Sequence, residues 1–182
     1  MSASESAPAC PGRAEYELDA EYPYFYICED TSLINHRVST WSGMVTASAG
    51  KLKLQLPSCA SVAGVTVEMH REEPVDVVDC FEDVVEFGYP SATGNPAVLD
   101  WSRALVCELT PLPAGPGDYR IRYHVRGVGT TANDSDFRSP GKAEALLQIW
   151  PGAPAQLKEV KITSALGEFW HPGQRLRRAR EC

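Results

Sequence analysis

Seven carboxylates, Glu72, Glu73, Asp76, Asp79, Glu82, Asp83 and Glu86, fall within fifteen residues of this 182-residue chain, and Arg71 is the only base beside them. Like charges at that density repel one another unless solvent or a cationic partner relieves them. One reading is a solvated acidic edge that also discourages strand-to-strand aggregation. The other is a surface that steers and docks a basic protein, such as a nuclease whose own groove is built for phosphates. On that second reading all seven are candidate partner-binding residues.

The run GDYRIRYHVRG carries the next candidate. Strict alternation sends Tyr119, Ile121, Tyr123 and Val125 to one side of a strand and Arg120, Arg122, His124 and Arg126 to the other. The cationic row is a secondary candidate for binding an anion or an acidic partner. A solvated strand face crossed by acidic neighbours accounts for the same pattern.

Cofactor and catalytic motifs fare worse. Gly127-Val-Gly129-Thr-Thr-Ala132 matches G-x-G-x-x-A after a strand, but a dinucleotide turn must open a helix that holds the pyrophosphate. NDSDFRSPG, a string of turn formers, follows instead, so residues 128 to 142 read as a long loop of the kind that often binds. There is no G-x-S-x-G elbow, H-E-x-x-H pair or phosphate loop. His36, His70, His124 and His171 stand far apart in sequence. A triad assembled only by folding stays open. The six cysteines form no C-x-x-C pair, which argues against zinc. No cofactor and no metal are expected.

The first dozen residues lack the apolar core of a secretory signal, and no later stretch approaches eighteen uncharged apolar residues. The expectation is a cytoplasmic protein with reduced thiols and no membrane contact. Cys28 and Cys107, set in apolar runs, read as small buried hydrophobes, leaving Cys10 and Cys182 in polar tails as the reactive thiols. The net charge of −7 repels phosphate backbones, so nucleic acid is a poor partner and a cationic protein a better one.

The elements that must position these groups are strands. With 43% hydrophobic residues the chain can bury one proper core, and fourteen Gly and fourteen Pro imply many turns. KLKLQLP and GVTVEMH alternate as half-buried strands do, on Leu52, Leu54 and Leu56 and on Val65, Val67 and Met69. YPYFYICED, residues 22 to 30, is aromatic on both faces and predicts a central or covered strand. Further strands are expected at 103 to 110 and 143 to 150, with a weaker one at 157 to 163. Residues 76 to 87 fit helical spacing, yet their β-branched content favours a strand from about 81. If the chain holds a helix, it is expected there. About eight short strands predict an all-β domain, a two-sheet sandwich or flattened barrel, over residues 14 to 170. Residues 1 to 13 and the basic 171 to 182 are expected to be tails.

YFYICED, the late hairpin LPAGPGDYRIRYHVRG and the closing LLQIWP, taken in that order, resemble the competence protein J family of small bacterial β proteins over residues 15 to 155. Those proteins are known as inhibitors of a DNA-entry nuclease. The resemblance implies a two-sheet β fold without catalysis and a protein partner, which for inhibitors is commonly encoded by a neighbouring gene. It carries over no defined functional residues, and this chain departs from the family in being longer at both ends. A competing expectation is a ligand-binding or enzymatic β-barrel in which Tyr22, Tyr24, Phe25 and Tyr26 line a cavity.

Overall fold

A computed structural model describes residues 12–30, 43–56, 60–127 and 143–171. Cys10, Cys59, Cys182, His36, residues 128 to 142 and the expected tails beyond 12 and 171 lie outside the described residues. The fold is 55% strand and 4% helix, in two sheets that do not close into a barrel. In chain order the elements are β1 (Arg13–Ala20), β2 (Tyr24–Cys28), β3 (Val45–Ser48), β4 (Lys51–Gln55), β5 (Ala60–Met69) and β6 (Asp83–Ser91). They continue with β7 (Ala97–Leu99), β8 (Leu105–Glu108), β9 (Gly117–Arg126), β10 (Ala143–Pro151), β11 (Lys158–Ile162) and α1 (Ala165–Trp170).

Six strands form one sheet in the order β1-β5-β10-β9-β6-β11, and five form the other in the order β3-β4-β2-β7-β8. β5 and β10 run parallel, whereas every other pairing is antiparallel. The aromatic strand β2 sits at the centre of its sheet, and its alternation divides it. Phe25 and Ile27 enter the core between the sheets with Leu52, Leu54, Val65, Val67, Ile121 and Tyr123. Tyr26 and Cys28 pack with Leu99 in a separate cluster, against which half-buried Tyr24 leans.

Three strands, β1, β3 and β7, escaped the reading of the sequence. In β1 the signal was present: RAEYELDA alternates charged with apolar residues, and Leu18 and Ala20 are buried. The strand begins at Arg13, inside the expected tail. β7 is three residues long, too short for any periodicity to register. The strand expected from about residue 81 is β6, Asp83–Ser91, but the helix lies at Ala165–Trp170 rather than at 76 to 87. Ser164 caps it, its hydroxyl accepting from the Gly167 amide, as short polar residues do at a helix start. His171, expected in a tail, is buried beyond it, with Nδ1 3.3 Å from Glu159 and Nε2 accepting from the Met44 amide.

Among the described cysteines Cys28 is buried, Cys107 half-buried and Cys80 exposed. Cys80, expected to be among the slowly labelled thiols, is thus exposed, because the segment that carries it lies on the surface.

Candidate functional site

The site is built on the outer face of the six-stranded sheet, where registered strands line up their outward side chains. Across the sheet Arg13, Glu68, Gln148, Arg122, Glu86 and Lys158 stand side by side, one from each strand. The next row along holds Glu15, Thr66, Leu146, His124 and Val84. After it come Glu17, Gly64, Glu144 and Arg126. Cross-strand pairs of opposite charge stabilise a sheet where like charges would not.

Residues 71 to 82 leave β5 and return across this face before entering β6. Phe81 packs on Val84 and Leu146, with Val77 and Val78 beside it. The crossing covers the middle of the cationic row. Arg122 is 5% exposed and His124 wholly buried, so that part of the face is an interior, while Arg120 and Arg126 stay partly exposed. Arg122 is the anchor of the crossing segment. Its guanidinium donates to the Pro74 carbonyl at 3.0 Å and the Glu73 carboxylate at 3.1 Å, and pairs with Glu86 at 3.2 Å. Trp150 lies under the same group, 5.3 Å from its ring centre. Arg120 also pairs with Glu86, and Arg126 pairs with Glu144, its Nε 2.7 Å from the carboxylate. The four residues of the secondary candidate do share one face, but their charges are met within the chain.

His124 is held as the neutral Nδ1–H tautomer by its surroundings. Nδ1 donates to the Leu146 carbonyl at 3.4 Å, Nε2 accepts from the Val78 amide at 3.5 Å, and the Phe81 ring lies 5.4 Å away. Burial pushes its pKa down to about 4, with the Arg122 charge adding to the effect and the Leu146 carbonyl opposing it.

The seven candidate carboxylates divide sharply. Asp83 and Glu86 are not surface acids: they are 2% and 6% exposed. The strand turns both side chains toward internal partners, Glu86 toward Arg120 and Arg122, and Asp83 toward the Thr163 and Ser164 amides at 2.9 and 3.0 Å. Glu82 is half-buried and accepts from the Gly127 amide at 3.0 Å. Glu73 is exposed but tied to Arg122. Glu72, Asp76 and Asp79 are exposed and have no side-chain partner among the described residues, and Val75, between them, is 95% exposed. The exposed part of the acidic run is thus an apolar residue, Val75, flanked in sequence by carboxylates, on a segment that Arg122 holds at the Pro74 carbonyl and Lys161 at the Asp79 carbonyl.

Folding also brings Ser164, Asp83 and His171 into one neighbourhood, in roles unsuited to nucleophilic attack. The Ser164 hydroxyl donates to Asp83 and accepts from Gly167, and His171 faces Glu159 and Met44. Among the described residues no cluster of three or more His, Cys, Asp or Glu could hold a metal ion, and no helix is long and apolar enough to cross a membrane.

Reading the sequence missed the neighbouring trough. Its volume is about 550 Å³, and it is walled by Arg13, Glu15 and Glu17 of β1 on one side and Val78, Cys80 and Phe81 on the other. The acidic alternation of RAEYELDAE was the available signal.

This architecture is an open two-sheet β-sandwich, and in this chain an acidic segment is strapped over one of its sheets. No family model matches the sequence, and no curated protein is similar enough to match. Among solved structures, ComJ from Bacillus subtilis, inhibitor of the DNA degrading activity of NucA, superposes with a TM-score of 0.54 at 14% identity, over 76% of this chain and 96% of that one. A protein described as crocagin biosynthetic gene J overlaps more loosely, with a TM-score of 0.47 at 11% identity, over 78% of this chain and 97% of its own. The fold is ComJ-like; at such identities the likeness is one of fold alone.

Proposed function

We propose that this chain is a non-catalytic protein-binding module that docks and blocks a cationic protein, a nuclease being the leading class of target. The observation that carries the reading is the exposed group of Glu72, Asp76 and Asp79 on either side of Val75, carboxylates without side-chain partners among the described residues, on a segment held by Arg122. Interfaces work well when an apolar contact is surrounded by polar groups and the surface is ordered before binding. Carboxylates around its rim speed the approach of a basic partner. The ComJ-like fold supports the same reading, because ComJ inhibits a DNA-degrading enzyme. By analogy the target is encoded by a neighbouring gene and met in the cytoplasm.

The test compares the wild-type chain with the triple variant E72Q/D76N/D79N as baits in the source cell's lysate at low salt. Solvated carboxylates contribute little to stability, so the variant should unfold within about 0.5 kcal/mol of wild type. Wild type should retain a basic protein in a salt-sensitive manner, and the purified target should lose its activity, measured as DNA cleavage if it is a nuclease, when the chain is added. The variant should associate more slowly and with a flatter salt dependence. Retention of the same partner by both baits, with one salt dependence, refutes the acidic segment as the docking surface.

A further inference from the structure

We infer that the segment crossing the outer face of the six-stranded sheet is a proton-operated strap: when His124 beneath it takes up a proton, residues 77 to 81 lift from the sheet. The inference rests on the protein-binding reading above for its consequence, since Asp79 rides on those residues and would be withdrawn from a partner in acid. His124 is wholly buried in β9, yet its floor and its cover differ in kind. Beside it are strands, with Leu146 of β10 and Val84 of β6 as its cross-strand neighbours. Over it, among the described residues, lie the Phe81 ring, 5.4 Å away, and the Val78 amide, which donates to Nε2 at 3.5 Å. That cover is one chain thick, and the trough of about 550 Å³ opens along Val78 and Phe81 on its far side. Both ends of the strap are fixed, by Arg122 at the Pro74 carbonyl and by the Glu82 amide, which donates to the Val125 carbonyl at 3.1 Å.

Protonation acts on the cover and spares the sheet. Nδ1–H keeps the Leu146 carbonyl, whereas a proton on Nε2 takes away the acceptor that the Val78 amide uses and sets two donors against each other. Among the described residues no carboxylate hydrogen-bonds the ring to compensate the new charge. Its own strand offers Arg122 and Arg126. Glu144 of β10 is paired with Arg126, Glu86 of β6 with Arg120 and Arg122, and Glu73 of the crossing segment with Arg122. Glu82 accepts from the Gly127 amide, and Asp76, Asp79 and Cys80 are exposed on the outer side of the segment. Glu68 of β5 favours the charge from a distance, but burial and Arg122 outweigh it and hold the shut ring at about 4. A lifted strap hydrates the ring, which then titrates near its ordinary 6.5. The shut state is therefore fully favoured above about 6.5 and loses that advantage toward 4, its opening constant growing by up to about tenfold per pH unit. Little else must break: the solvent-exposed bond from Lys161 to the Asp79 carbonyl and the packing of Phe81 on Val84 and Leu146.

The test is native-state hydrogen exchange on the full-length ¹⁵N-labelled chain, each amide rate being divided by its intrinsic rate at that pH. Between pH 7 and pH 5, above the range in which ordinary carboxylates titrate, the opening constants of the Val78 and Phe81 amides should rise about twentyfold. In about 1 M urea they should stay unchanged, which marks a local opening rather than unfolding. His124→Gln, neutral at every pH, should hold them flat. If that variant fails to fold, the ring itself decides: its proton shifts should titrate near 4 in wild type and move up toward 6.5 in Phe81→Ala, which thins the cover. The strap is overturned by openings that stay flat in wild type, rise as steeply in H124Q or follow urea as global unfolding does, and equally by a ring that titrates near 6.5 in wild type or is unmoved by F81A. None of these readouts needs a partner. If they come out as described and no cationic protein is retained by the bait, the strap stands and the proposed function fails. If a cationic protein is retained equally at pH 7 and pH 5 while the openings stay flat, the strap fails and the acidic segment stands.

Discussion

His124 shows what folding does to a group that looks like chemistry in the sequence. A histidine among three arginines suggests an anion site, but the Phe81 ring and the 76 to 82 backbone close over it and leave it uncharged. Its folded pKa of about 4 lies below the ordinary histidine value near 6.5, so between those limits the unfolded chain binds the extra proton. Stability therefore rises with pH through that window; it is complete above about 6.5 and is lost as the pH falls toward 4. The loss attributable to this residue should be on the order of 3 kcal/mol. Urea titrations at a series of pH values should reveal it, and His124→Leu should flatten that part of the profile. An unchanged slope in the variant would mean that the ring is not held neutral by burial.

The crossing segment, residues 71 to 82, depends on a single arginine for its first half. Arg122 satisfies the Pro74 carbonyl, pairs with exposed Glu73 and neutralises Glu86, which is buried with it. Removing one member of a buried ion pair costs about 3–5 kcal/mol, because the charge left behind has no compensation. Glu86 keeps its pair with Arg120, so Arg122→Met should destabilise the whole fold by an amount at the lower end of that range, about 3 kcal/mol. It should also expose residues 71 to 78 to proteases at concentrations that leave wild type intact, since the anchor is lost along with the charge. Asp83 does comparable work at the start of β6. Its carboxylate gathers the Thr163 and Ser164 amides and so fixes the start of α1 against the sheet. Asp83→Ala should cost about 2–4 kcal/mol and raise amide exchange across 163 to 171, whereas Asp79→Asn, a few residues away but exposed, should cost almost nothing.

The two sheets are joined through polar contacts as well as the core. At one end Glu29, just past β2, accepts from Tyr89 at 2.7 Å and Ser91 at 2.6 Å in β6 and from the Ala92 and Thr93 amides. Elsewhere the buried Tyr123 hydroxyl donates to the Gln55 carbonyl at 2.9 Å. Burial by itself would push the Glu29 pKa up, but hydrogen bonds from Ser91, Tyr89 and Thr93 outweigh it and hold the carboxyl below its usual range. A carboxylate depressed in the folded state stabilises fully above its unfolded pKa, and that contribution fades as the pH falls through the folded value. Glu29→Ala should cost about 2–4 kcal/mol near neutral pH, since donors are stranded. The cost should shrink in acid, which denaturation at pH 7 and pH 3 would check. The acid of YFYICED is therefore a tie between layers. What the sequence alone determined was the β class, most strand positions and the inward residues of β4, β5 and β9, because a period of two is local and each strand repeats it. Which of the seven acids face solvent, which cations are already paired, and where a trough opens were decided only by the tertiary structure. Those outcomes depend on the register of strands distant in the chain and on a segment folding back across them, and no local pattern encodes either.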